Sequence, residues 1–126
     1  MEFFEQVENS KLDRERLKQL LTITRLPELC ASIDSVISDK GETGVIYCLW
    51  GEFTVNREEL EYGVRFSLPK CPNALVWSIT TDEDNNHIVI HCTINRKEQE
   101  QDLIDSILEF VADWSQGIRT ALCSVM

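Results

Sequence analysis

Leu60-Glu61-Tyr62-Gly63-Val64-Arg65-Phe66-Ser67-Leu68 is the stretch on which the fold turns. Leu60, Tyr62, Val64, Phe66 and Leu68 alternate with polar or small residues, the period of a strand with one buried and one wet face. Antiparallel sheets carry such strands, because one of their faces can meet water. Toward the C-terminus, Pro69 to Asn73 is a breaker cluster, and a further strand holds Leu75, Trp77 and Ile79. The acidic loop Asp82 to Asn86 then returns the chain into a strand with Ile88, Ile90, Cys92 and Ile94 on one face. Toward the N-terminus, Asn56 to Glu59 reads as a turn, preceded by one long strand from Val45 to Val55 that Gly51 bends or bulges. Four strands joined by short connections predict an antiparallel meander.

The flanks change period. Ser10 is the expected N-cap of a first helix with Leu12, Leu17, Leu20 and Leu21 as its apolar stripe. Pro27 suits the first turn of a second helix, where Leu29, Cys30, Ile33, Val36 and Ile37 form an amphipathic face and Gly41 the C-terminal cap. A long helix is expected from about Lys97 to Leu122. The predicted fold is thus α+β: a two-layer sandwich, with a four-stranded antiparallel meander flanked by two N-terminal helices and one long C-terminal helix. One domain spans 1–126, with 1–9 as a loose arm and 123–126 as a tail.

Twenty-two Asp and Glu against twelve Lys and Arg leave a formal charge of −10. That balance argues against direct nucleic-acid binding, which needs cations to displace counterions, and against anionic membrane surfaces. No run approaches a transmembrane span, and the acidic Met1-Glu2-Phe3-Phe4-Glu5 start does not suit a signal peptide. Five scattered cysteines without a C-x-x-C pair point to thiols in a reducing cytoplasm.

On the last helix, Leu103, Ile104, Ile107, Val111, Trp114 and Ile118 gather on one side. Glu98, Asp102, Asp105, Glu109 and Asp113 lie nearly opposite, a ridge of about 22 Å at the helical rise. No Lys or Arg between Lys97 and Arg119 neutralises it. Like charges four apart cost roughly 0.2–0.5 kcal/mol per pair, and acids in the later turns oppose the helix dipole. A solvated face of an acidic protein is the bland explanation; a docking surface for a basic partner is the functional one.

Other chemistry is sparse. His87 and His91 share the strand face opposite Ile88, Ile90 and Cys92. At about 13 Å along the strand they are too far apart to bind one ion, so no metal or other cofactor is expected. Cys71, beside Lys70 in a proline-bounded loop, is the candidate reactive thiol, with an inert loop cysteine as the alternative. No phosphate-binding, nucleophile-elbow or zinc motif occurs, which argues against an enzyme. Tyr47 and Trp77 are candidates for lining a pocket between sheet and helices, against a plain packing role. Trp50, at a bend, is a further candidate contact residue. The tail Cys123-Ser124-Val125-Met126 has the form of a prenylation box with Cys123 as the acceptor, although the usual polybasic stretch is missing.

No family motif is present. Helices flanking a small antiparallel sheet in an acidic chain make an outline that is similar to the secretion-chaperone architecture. That pattern also places a helix within the strand series, where Pro69 to Asn73 is short. Two functions follow: a non-enzymatic interaction module (adaptor, chaperone-like or inhibitor) that meets a basic protein or self-associates, and a small-molecule binder or enzyme with a pocket between the layers.

Overall fold

A computed structural model of the chain describes residues 1–8, 12–95 and 100–125, and of 123–125 the backbone alone. In chain order it runs through strand β1 (Glu2–Val7), helix α1 (Arg14–Leu20), a 3-10 turn (Ile23–Arg25) and the one-turn helix α2 (Leu26–Leu29). Strands β2 (Ile33–Asp39), β3 (Thr43–Cys48), β4 (Gly51–Leu60), β5 (Gly63–Ser67), β6 (Val76–Asp82) and β7 (His87–Thr93) follow, and helix α3 (Gln101–Val125) ends the series. All seven strands form one antiparallel sheet in the order β1-β7-β6-β5-β4-β3-β2. The chain is α+β, but this sheet replaces the expected four-stranded meander, and two short helices and one long one replace the expected helices.

Five local readings change. Ile33 to Asp39 is a strand rather than a helix. Its pairing with β3 shifts register twice, between Ile33 and Ser35 and between Val36 and Ser38. Each bulge inserts an extra residue, so Ile33, Val36 and Asp39 face the same side at intervals of three, which imitates a helical period. Residues 2–7, expected as a loose arm, pair with β7, putting Phe3 and Val7 on the core side and Phe4 on the other.

Gly51 does not bend one strand but separates two: it follows the Leu49–Trp50 turn with φ +116, a left-handed backbone that suits glycine. Asn56 to Glu59 is extended within β4, and the turn falls at 61–62, so Leu60 and Tyr62 do not belong to the strand of Val64 and Phe66.

The first helix starts later than expected, with Asp13 as N-cap accepting a hydrogen bond from the Arg16 amide at 2.8 Å; the expected cap, Ser10, lies outside the described residues. Pro27 does sit in the first turn of α2.

The helices lie on one face of the sheet. Thr81 Oγ1 donates to the Leu12 carbonyl, and the Arg57 guanidinium donates to the carbonyls of Leu21 and Lys18. These bonds bind the N-terminal segment to the sheet, while α3 packs over β1 and β7 and against α2. Between the layers Trp77 meets Phe110 edge-on at 5.0 Å, and Phe66 stacks on Trp77 at 5.3 Å and faces Trp114 at 6.2 Å. Aromatic pairs of this kind contribute about 0.5–1.5 kcal/mol each beyond their burial. Ile46, Val55, Ile79, Ile88, Ile90 and Cys92 extend the same core. The opposite face of the sheet carries Glu58, Arg65, Ser78 and His91, which lie side by side on β4, β5, β6 and β7.

Candidate functional site

Of the acidic ridge on α3, Asp102, Asp105 and Glu109 are exposed, while Glu98 lies outside the described residues. Asp102 falls in the first turn, where its charge suits the positive end of the helix dipole. The Gln101 side chain donates to Asp105 at 2.8 Å. Leu108, which the apolar stripe does not account for, stands at the edge of this row beside Asp105 and Glu109 with 51% of its surface exposed. Asp113 is set apart from the row: half-buried, it accepts a hydrogen bond from Ser32 Oγ at the join of α2 and β2.

Trp50 meets the same helix from the β3–β4 turn. Its indole N–H donates to Ser106 Oγ at 2.9 Å, and its ring lies 5.0 Å from Phe110. Ser106 in turn donates to the Leu103 carbonyl, so the contact fixes the hairpin to α3 beside Asp105. Tyr47 and Trp77, by contrast, face opposite sides of the sheet. Trp77 is in the aromatic core and Tyr47 is half exposed on the open face, so no pocket joins them.

Both histidines occupy the open face, opposite Ile88, Ile90 and Cys92. His87 lies 3.4 Å from Asp82, and His91 lies 3.1 Å from Glu2 with its ring stacked on Phe4 at 4.3 Å. A depression of about 260 Å³ beside His91 is bordered by Arg65, Ser78 and Thr93. Sequence reading treats these simply as wet-face residues, because nothing in the period tells an idle polar side chain from a convergent one.

A cleft of about 540 Å³ opens near the β6–β7 turn. Arg14 crosses it with its guanidinium 4.5 Å above the Tyr62 ring, 3.4 Å from Glu83 and 3.6 Å from Glu61. Its backbone amide also donates to Glu83, so the cleft's charges serve to fasten the start of α1 to the sheet. An intra-loop bond from Asn85 holds the Asp82 carboxyl below its ordinary range, with His87 adding a smaller effect.

The described cysteines, Cys30, Cys48, Cys71 and Cys92, are free thiols. Burial pushes Cys30 up to about 12, with the nearby Asp113 charge adding to it, and burial alone pushes Cys92 up to about 12. Cys48 is raised chiefly by burial, with Cys71 close enough to contribute. Cys71 is half-buried in the β5–β6 connection and packs against the core. The side chain of Cys123, the prenylation candidate, lies outside the described residues. Among the described residues no three His, Cys, Asp or Glu side chains converge as metal ligands, and no helix is long and apolar enough to cross a membrane.

No protein-family model and no curated protein matches the chain. A crystal structure of an uncharacterized protein from Bacillus thuringiensis is similar over 98% of this chain and 99% of its own, with a TM-score of 0.68 and 14% identity. The two share a fold. At that identity the likeness extends to architecture alone.

Proposed function

We propose that the protein is a non-enzymatic interaction module that seats a basic, amphipathic partner segment on the outer face of α3. The observation that carries this reading is Leu108, half exposed at the edge of the ridge beside Asp105 and Glu109. An apolar anchor bordered by charge is a common anatomy of a contact surface. Trp50, fixed to the same helix through Ser106, flanks the surface as a rigid aromatic. The partner's cations would relieve the repulsion along the ridge, which gives both affinity and sensitivity to salt. Free thiols throughout the described chain suit a cytoplasmic setting for such a role.

Affinity capture from native lysate with the wild type, with Leu108→Ala and with the double variant Asp105→Lys/Glu109→Lys tests this. A basic partner should be held by the wild type, released as salt rises, and lost from both variants. Retention of that partner by both at wild-type yield overturns the reading.

A further inference from the structure

We propose that the open face of the sheet binds a small oxyanion, the phosphate or carboxylate of a low-molecular-weight ligand, at a site centred on Arg65. β5 is the fourth of the seven strands and Arg65 is its middle residue, so the side chain rises near the centre of the uncovered face. In a chain with ten more acids than bases, a guanidinium would be expected to find a carboxylate. Glu58 is its register neighbour on β4, yet Arg65 forms no ion pair or hydrogen bond among the described residues. Arg14, Arg16 and Arg57 have acidic partners, whereas Arg25 and Arg119, like Arg65, have none among the described residues.

An unpaired arginine on a surface is commonplace; what distinguishes this one is its surroundings. Arg65 borders the 260 Å³ depression together with Ser78, directly across from it on β6, and Thr93 on β7. Neither hydroxyl has a partner among the described residues, and the Trp77 backbone forms the floor because its ring lies in the core. His91 closes one side as a fixed wall, held by Glu2 and by the Phe4 ring. The arrangement offers a planar cationic fork that can take two oxygens of one anion, with two O–H donors free for the rest.

The rim narrows the ligand class. Glu58 stands on one side of the site and Glu2 on the other. A nucleic-acid backbone would set successive phosphates against these carboxylates, whereas a single phosphate or carboxylate on a small body would not. The volume matches one such group with a few attached atoms.

Amide shifts recorded by NMR during titration with sodium phosphate, and separately with sodium acetate, test the site, with sodium chloride holding ionic strength constant. Saturable shifts should centre on residues 65, 78, 91 and 93. Arg65→Gln should weaken the dissociation constant about tenfold or more, the loss of one charge-assisted contact, with Arg65→Lys falling between. A response to phosphate alone assigns a phosphate-bearing ligand, and an equal response to acetate assigns a carboxylate. Arg65 is exposed, so its replacement leaves the core intact, and the rest of the spectrum checks this. Shifts that stay linear and scatter over the surface, or an Arg65→Gln dissociation constant within about twofold of wild type, overturn the proposal.

Discussion

A Cβ added at Gly117 would stand 1.8 Å from the Leu29 carbonyl oxygen. Replacing an exposed helical glycine by alanine normally gains about 1 kcal/mol, but here α2 crosses α3 with its backbone at that point. Gly117→Ala should therefore lower unfolding stability by about 2 kcal/mol or more, read from the urea midpoint, because neither backbone can move cheaply. The buried thiols give a second expectation. Cys30 and Cys92 ionise near 12 when folded against an ordinary 9, so folding retains their protons. Their contribution is complete below pH 9 and is lost as pH rises toward 12, at about 1.4 kcal/mol per pH unit for each thiol. Urea unfolding between pH 8 and 10.5 should show this decline, and the double variant Cys30→Ala/Cys92→Ala should show a shallower one from a lower starting stability.

At the scale of elements, Arg57 shows how a strand supports a helix. From the covered face of β4 its guanidinium takes the carbonyls of Leu21 and Lys18, which the end of α1 leaves without helical partners. Arg57→Met should cost about 2–3 kcal/mol by removing two charge-assisted bonds and leaving those carbonyls half-buried. Faster hydrogen exchange confined to residues 14–21 would locate the effect. None of this is legible in the sequence, where Asn56 to Glu59 has the composition of a turn and nothing marks one of its residues as a cap. The strands of Phe66, Trp77 and Ile90 are legible, because a regular pleat between a packed and a wet face preserves a period of two. So is the greater part of α3, where the stripe runs for several turns. β2 is not, since its two bulges spread the inward residues to a helical spacing. The acidic ridge is visible as a pattern, but Leu108 acquires meaning only once the packed side of the helix is known. The convergence on Arg65 depends on three strands lying in register, which no local window contains.

Over the whole molecule, six consecutive strands pair with their neighbours in sequence, whereas β1 pairs with the last of them. The ends of the sheet are guarded differently: β2 by its bulges and exposed Asp34, β1 by Glu2 and Glu5. Contacts between residues near one another in sequence form sooner than those that must close a long loop. In pulsed hydrogen-exchange refolding, amides of β3 to β6 should gain protection before those of β1. Simultaneous protection throughout would contradict a docking order set by topology. On the ribosome the same arrangement becomes a waiting time. Roughly 80 residues separate Val7 from its partner Ile88, which at about 5–20 residues per second is an interval of about 4–16 s. For that time Phe3, Phe4 and Val7 travel unpaired beside the nascent chain, and Glu2 and Glu5 make the segment a poor template for its neighbours on the same message.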